Sequence, residues 1–275
     1  MKTLSVLTWN MNQRPEAWQR LAQLRDKFGV QVALVQEAVP PPRAGWRVHP
    51  AAETPGAWRV LAHADRKRQF ASAVVLLDEA LTMTPLEPQS LGQAEYGQFA
   101  VSHPGQFAVA EVGLPGAASV TLVSLYGVWD RDERWLFSEP TLHRAISDLT
   151  IVLQARERSN VVLAGDLNIY WQWEEAAGPP WAARYNTVFN RLAAYGLSMA
   201  GPVGESPLDR CPCGRGRNCR HVRTYAHNGN PANKPYQLDF VFTSEATTAR
   251  TCRVLDDEAW QHSDHLPVLA EIVVE

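Results

Sequence analysis

Side chains that offer oxygen or nitrogen to a ligand recur in short clusters, each set at the end or start of an apolar stretch. Trp9-Asn10-Met11-Asn12 follows Leu4 to Thr8, Gln36-Glu37 follows Val30 to Val35, and Gly165-Asp166-Leu167-Asn168 follows Val161 to Ala164. Gln237-Leu238-Asp239 opens the stretch Gln237 to Thr243, and Ser263-Asp264-His265 precedes Val268 to Val274. Glu37, Asp166 beside Asn168, and Asp264 supply carboxylates, and Asn10 and Asn12 add further oxygens. Hard divalent cations such as Mg2+ take oxygen ligands of this kind, usually one or two carboxylates completed by water and substrate phosphate. Asp239 and His265 suit acid and base work, because a carboxylate fixes the tautomer of an imidazole and stabilises its charged form. Taken singly, each of these residues is an ordinary capping, turn or structural residue. The ordered set points to a hydrolytic Mg2+ site.

A second cluster has a different chemistry. Cys211 to His221, CPCGRGRNCRH, holds three of the four cysteines together with three arginines and a histidine. Cys211, Cys213, Cys219 and His221 form the soft ligand set of a tetrahedral structural Zn2+, and Gly214 and Gly216 allow a tight backbone path between them. The C-x-C-x5-C-x-H spacing is not one of the common finger patterns. Reduced, unliganded thiols and a Cys211 to Cys219 disulfide are the competing readings, and Cys252 is an alternative fourth ligand. Arg215, Arg217 and Arg220, with Arg210 and Arg223, form the strongest basic cluster; they either fork onto substrate phosphates or keep a solvated loop soluble.

The elements that must hold these clusters alternate between strand and helix patterns. Further strands are expected at Ala71 to Leu77, Phe107 to Val112 and Ser119 to Leu125. Trp18, Leu21, Leu24 and Phe28 fall at helical spacing, with Pro15 suited to a first turn and Gly29 to a stop. Thr141 to Arg156 and Trp181 to Tyr195 are the other helices. No internal repeat and no separating linker is evident, and Gly201 to Pro235 is the longest irregular stretch, long enough for a functional insertion. A length of 275 residues accommodates one large domain, and a net charge of −3 argues against wholesale attraction to nucleic acid or anionic membrane. No signal peptide and no membrane span is read, so a cytoplasmic, reducing compartment is expected, where clustered cysteines bind metal more often than they pair.

TWNMN, VQE, GDLN, QLDFVF and SDHLPV occur in the order and at the intervals of the endonuclease/exonuclease/phosphatase superfamily, which the chain resembles from about Leu4 to Val274. The resemblance implies one α/β domain over residues 1–275. Its two mixed β-sheets pack face to face as a four-layer α/β/β/α sandwich, with the site at the top between the sheets. It implies that Glu37 is the principal metal carboxylate, with Asn10 and Asn12 ligating the metal or supporting its ligands, and that Asp264 is a further metal-side or phosphate-side acid. Asp166 would orient or deprotonate the attacking water, and Asn168 would hold that water or a phosphate oxygen. His265 would stabilise the phosphoryl group, oriented by Asp239. Tyr126, in VSLYGVW, falls where the superfamily places a His or Tyr near the scissile phosphate.

The implied activity is that of a Mg2+ or Mn2+ dependent phosphoester hydrolase, a nuclease or other phosphodiesterase acting by in-line attack of water. Phosphomonoesterase action on a nucleotide, phospholipid head group or inositol phosphate is the alternative. A noncatalytic binding module on the same fold is disfavoured, because Glu37, Asp166, Asp239 and His265 are all present. The expected partner is a phosphoester substrate, nucleic acid or nucleotide, and no protein partner is evident. After GDLN, the residues Ile169 to Glu174 depart from the abasic-site endonuclease pattern, which counts against assignment as a DNA-repair enzyme, although Tyr126 matches the abasic-endonuclease-like branch. Trp129, Trp135, Trp171, Trp173 and Trp181 are either core aromatics or a platform for bases.

Overall fold

Double-sided burial marks the first strand as central. In β1 (Lys2–Asn10), Leu4 and Val6 point into one core while Leu7 and Trp9 point into another on the opposite face, as the two-residue period of a strand dictates. A computed structural model describes residues 2–42, 45–51, 60–62, 66–68, 70–89, 92–132, 135–155, 159–173, 182–230, 236–255 and 259–274. After β1 come α1 (Ala17–Phe28), β2 (Val32–Ala38), β3 (Arg47–Pro50), the small hairpin of β4 (Val60–Ala62) and β5 (Arg66–Arg68), β6 (Ala71–Leu76), β7 (Thr82–Leu86), β8 (Phe107–Gly113) and β9 (Val120–Tyr126). A second small hairpin, β10 (Asp130–Asp132) and β11 (Trp135–Phe137), leads into α2 (Glu139–Asp148), α3 (Thr150–Leu153), β12 (Val161–Asp166), α4 (Ala182–Ala194) and β13 (Ser198–Gly201). The chain closes with β14 (Asp239–Thr243), β15 (Thr247–Val254) and β16 (Val268–Val274).

Two six-stranded sheets result, in the orders β15-β16-β1-β2-β6-β3 and β13-β14-β12-β9-β8-β7. Both are mixed, since β1 and β2 run parallel, as do β9 and β12, while the other named pairs are antiparallel. The central core lies between the sheets and includes Leu4, Val6, Leu34, Val74, Leu122, Ala164 and Val241. α1 covers the outer face of the first sheet through Trp18, Leu21 and Leu24. α2, α3 and α4 cover the outer face of the second through Ile146, Val152, Val188 and Leu192. The architecture is therefore the α/β/β/α sandwich expected from the sequence.

The helix expected over Thr141 to Arg156 is divided at Leu149 into α2 and α3. Asp148, at the end of α2, accepts hydrogen bonds from the Ser102 backbone and hydroxyl at 2.7 and 2.8 Å. Trp181, Arg156 and residues 231–235 of the expected elements lie outside the described residues. No helix among the described residues is long and apolar enough to cross a membrane.

The strand pairing that aligns the polar clusters tolerates no side chain at Gly165. A Cβ there would sit 1.8 Å from the Leu125 carbonyl oxygen of the neighbouring strand. Gly165→Ala is expected to cost at least about 3 kcal/mol through forced strand separation. Gly92→Ala, which meets open space, is expected to be silent. Chemical denaturation of both variants checks the contrast.

Candidate active site

β9, β12 and β14 lie side by side in the second sheet, with Asp166 paired in register with Tyr126 on one side and with Asp239 on the other. All three continue the inward-facing rows that include Leu122, Ala164 and Val241, so their side chains face the first sheet at one end of the sandwich. From the first sheet, Asn10 ends β1 in register with Gln36 of β2. Glu37 should point outward by simple alternation, but the β2–β6 register shifts between Val35 and Ala38. Glu37 adopts a φ of 45° within this bulge. Such a bulge re-aims a side chain, and Glu37 meets Asn10 and Tyr126 instead of the outer core. Asp264 and His265 arrive on the turn before β16, where Ser263 Oγ donates to the Asn10 carbonyl at 2.7 Å and accepts from the His265 backbone N–H at 3.0 Å.

The resulting contacts form one network. His265 Nδ1 lies 2.9 Å from Asp239 Oδ2, and its Nε2 lies 3.6 Å from Asp166 Oδ2. Asn10 Nδ2 donates to Asp166 Oδ2 at 2.9 Å and to Glu37 Oε1 at 3.2 Å. The Tyr126 hydroxyl donates to the same Glu37 oxygen at 2.9 Å, and Gln13 Nε2 donates to the other at 2.8 Å. Asp166 Oδ1 accepts the Asn168 backbone N–H at 2.8 Å, while Asn168 Nδ2 donates to the Gly127 carbonyl at 3.0 Å. Asn12 and Asn168, like Glu37, hold positive φ values of 48° and 52°; such backbone is uncommon outside glycine and asparagine.

Asp166 and Asp239 are fully buried and His265 nearly so. Burial alone would pull the His265 imidazole down, but the Asp239 and Asp166 carboxylates outweigh it and push it up to about 10. Burial raises Asp166, and the neighbouring His265 charge offsets part of that rise. Asp264 is raised first by burial, offset by His265 and then raised again by the Glu37 charge. Asp239 and Asp166 thus favour the charged form of the His265 ring that lies beside both of them, and the donor atoms of the three residues also stand within 4.8 Å of one another, close enough to hold a metal ion. Glu37, Asp264 and Asn12 line the same cleft and offer the hard-oxygen donors that could hold a divalent cation.

These groups open onto a cleft of about 690 Å³. Asn10 and Tyr126 do not line it; they hold Glu37 from behind. One wall is aromatic: Tyr170 stacks on Trp173 with centroids 4.1 Å apart and planes at 9°, and on Tyr236 at 5.4 Å and 23°. Tyr225 packs against the His265 ring at 4.8 Å. The tryptophan platform considered from the sequence is thus largely a tyrosine wall. Trp129 lines the cleft and is 40% exposed, Trp173 backs Tyr170, and Trp171 packs edge-on against His221. Trp181 and Glu174 lie outside the described residues, as does the side chain of Trp135. Tyr170, Tyr185 and Tyr236 went unrecognised in the sequence, although Tyr170 stands two residues after Asn168 and Tyr236 three before Asp239.

Cys211, Cys213, Cys219 and His221 are brought together away from the cleft. Cys252 is not of their group; its thiol packs near Gly201 and the central core. Arg215, Arg217 and Arg220 are not among the residues lining the cleft. Arg220 instead donates to the carbonyls of Arg217 and Cys219.

A sequence model described as the Endonuclease/Exonuclease/phosphatase family matches residues 7–265. No curated protein matches the sequence. Among solved structures, the endonuclease domain of TRAS1, a telomere-specific non-LTR retrotransposon, is similar over 99% of each chain at 18% identity, with a TM-score of 0.62. D. rerio TDP2 complexed with single strand DNA product is similar over 100% of both chains at 12% identity and a TM-score of 0.56. The mannosyl-6-phosphatase of Bacteroides thetaiotaomicron is similar over 98% of this chain and 99% of its own, at 12% identity and a TM-score of 0.59. At these identities the likeness establishes the fold alone.

The charge state of His265 can be measured directly. Imidazole nitrogen shifts followed by NMR against pH should show His265 protonated through neutrality, with its midpoint near about 10. Asp239→Asn removes an anion that stabilises the charged ring, so the midpoint should fall toward the ordinary histidine value. A wild-type ring already neutral at pH 7 would contradict the imidazolium assignment.

Proposed function

The chain belongs to the endonuclease/exonuclease/phosphatase family, and on that premise we propose that it is a divalent-metal-dependent nuclease that hydrolyses phosphodiesters by in-line attack of water. The observation that carries this reading is the buried His265 beside Asp239 and Asp166 in a cleft that Glu37 and Asp264 also line.

Asp166 is held by Asn10 and by the Asn168 backbone, with its Oδ2 3.6 Å from His265 Nε2. It orients the attacking water and accepts its proton. Asn168 has its amide nitrogen committed to the Gly127 carbonyl, which leaves its oxygen to accept from that water. His265, with Nδ1–H donated to Asp239, has Nε2–H to donate to a non-bridging phosphoryl oxygen, so its positive charge lies where negative charge develops. Tyr126 and Asn10 fix the orientation of Glu37. Bound by Glu37 with Asp264 and Asn12, Mg2+ or Mn2+ would supply positive charge to the phosphoryl oxygens and orient the ester. Fixed donors of this kind account for most of the acceleration in phosphoryl chemistry, which needs little covalent help.

The aromatic wall supports nucleic acid over a small phosphorylated metabolite. Tyr170 and Tyr236 line the cleft together with the catalytic groups and pack against one another, and unpaired bases stack on aromatic rings of this kind. A strand with unpaired bases is the substrate this wall fits best.

Purified protein should cleave single-stranded DNA or RNA with Mg2+ or Mn2+ and lose that activity in EDTA. The same assay carries duplex DNA, nucleotides, sugar phosphates, inositol phosphates and lipid phosphodiesters. Asp166→Asn and His265→Ala should each lower turnover by orders of magnitude in the folded protein, and His265→Ala should also lower the thermal melt, because Asp239 and Asp166 lose the charge beside them. Failure to cleave any phosphoester with either metal would sink the hydrolase reading, and near-normal rates in the folded variants would sink the site. Cleavage confined to phosphomonoesters would replace the nuclease with a phosphatase. Tyr170→Ala should raise KM for a single strand about tenfold with kcat little changed, the effect of losing one stacking contact.

A further inference from the structure

The insertion between β13 and β14 contains few of the apolar side chains that would hold an irregular segment in one conformation, and yet it closes around Cys213, Cys219 and His221, all buried. We propose that Cys211, Cys213, Cys219 and His221 bind a single structural Zn2+ that fastens this insertion to the wall of the catalytic cleft.

Two of the donor separations are those such an ion requires, and the rest fall within its reach. All four lie within 4.8 Å of one another. His221 Nδ1 is 3.6 Å from Cys211 Sγ and 3.4 Å from Cys219 Sγ. Zn–S and Zn–N bonds of ordinary length at tetrahedral angles place sulfur and nitrogen about 3.6 Å apart. Those distances therefore match two ligands of one ion, and no disulfide is formed by any of the four cysteines.

The imidazole is also prepared for the task. His221 Nε2 is bonded to the Trp171 carbonyl, an acceptor with no proton to give, so Nε2 carries the hydrogen. Nδ1 is then the lone-pair nitrogen, and it is the one facing the sulfurs. An outer hydrogen bond of this kind fixes tautomer and ring orientation in histidine ligands of metals generally. Local backbone brings the sulfurs in. Gly214 and Gly216 take φ values of 81° and 49°, and a short 3-10 turn at Gly216–Asn218 delivers Cys219 back towards Cys211. Arg220 donates to the carbonyls of Arg217 and Cys219, which closes the same turn from outside.

The Trp171 carbonyl gives the ion its reach. Trp171 lies three residues after Asn168 and directly follows Tyr170 of the aromatic wall. The insertion is tied at its other end too, because Val222 N–H donates to Gln237 Oε1, and Gln237 Nε2 donates to the Pro202 carbonyl. Zinc binding would thus join the segment after β12 to the segment before β14, the two strands that carry Asp166 and Asp239. Because metal-site energy is folding energy for a small loop, the wall would be ordered before any substrate arrives. The zinc site lies outside the cleft and does not rest on the phosphoesterase reading.

The full chain, produced with zinc present and then desalted, should retain one equivalent of zinc by elemental analysis, and the Cys213→Ser/Cys219→Ser variant should retain none. Cobalt exchanged into the wild-type protein should show the thiolate-to-cobalt charge transfer and visible bands of a tetrahedral site. Hydrogen exchange across residues 167–173 and 202–223 should rise when zinc is stripped, while β1 and β12 stay protected. Wild-type protein without zinc, equal zinc in the variant, or an intact mass lighter by a disulfide would each overturn the site. Should the variant fail to fold, the cobalt spectrum of the wild type decides, and absence of thiolate charge transfer overturns it. Zinc bound without any change in exchange at 167–173 would overturn the link to the wall.

Discussion

Charge neutralised across the gap between two sheets is the constraint on which this molecule depends. Asp166 and Asp239 are buried on the second sheet, where an isolated carboxylate would be severely penalised. Their partners, Asn10 and His265, come from the first sheet and the turn beside it. Glu37 of the first sheet is met in turn by Tyr126 of the second. Lower down, Gln36 Nε2 donates to Ser124 Oγ at 3.0 Å, and that hydroxyl donates back to the Val35 carbonyl at 2.9 Å. Each sheet alone would leave polar groups unsatisfied, so closing the sandwich and assembling the site are one event.

On the proposed function, that arrangement also accounts for how an acidic chain would hold a phosphate. The net charge is −3, and the densest run of arginines lies off the cleft. Attraction to a polyanion cannot then come from a broad positive field of the kind that steers many nucleic-acid proteins. On the proposed function it would be local, from His265 and from a cation held by Glu37 and Asp264. A ligand arriving without that cation would meet Glu37 and Asp264 unscreened. Metal and phosphate are therefore expected to reinforce one another's binding.

The sequence disclosed the interior of the fold and hid its margins. The eight expected strands are the eight interior ones, β1, β2, β6, β8, β9, β12, β14 and β16, whose apolar runs reflect burial on both faces. Among the unexpected strands, β3, β7, β13 and β15 are the four edges of the two six-stranded sheets, and β4, β5, β10 and β11 form the two small hairpins. β7 carries Pro85, which an edge tolerates, and β15 reads TTARTCRV with its polar residues largely exposed. At the site, strand-end carboxylates were legible because they interrupt apolar runs. The tyrosine wall was not, because its rings come from separate loops and, for Tyr185, from α4, and their proximity is set only by tertiary packing. Attention to tryptophan obscured it further, since the large indoles here mostly back the wall or fill cores. The aromatic residues flanking GDLN and QLDFVF were the available signal.

The bulge at Glu37 does more than aim a carboxylate. In an unbulged β2, alternation would turn Glu37 towards the outer core, with Ala33 and Val35, against Trp9, Met11 and Trp18 beneath α1. An unpaired carboxylate there would have no donor and no water. The regular register is thereby made the unfavourable one, and the left-handed turn at Glu37 becomes the relaxed choice for this chain. The acid that serves the cleft doubles as a proofreading device for strand alignment, rejecting the neighbouring register during folding.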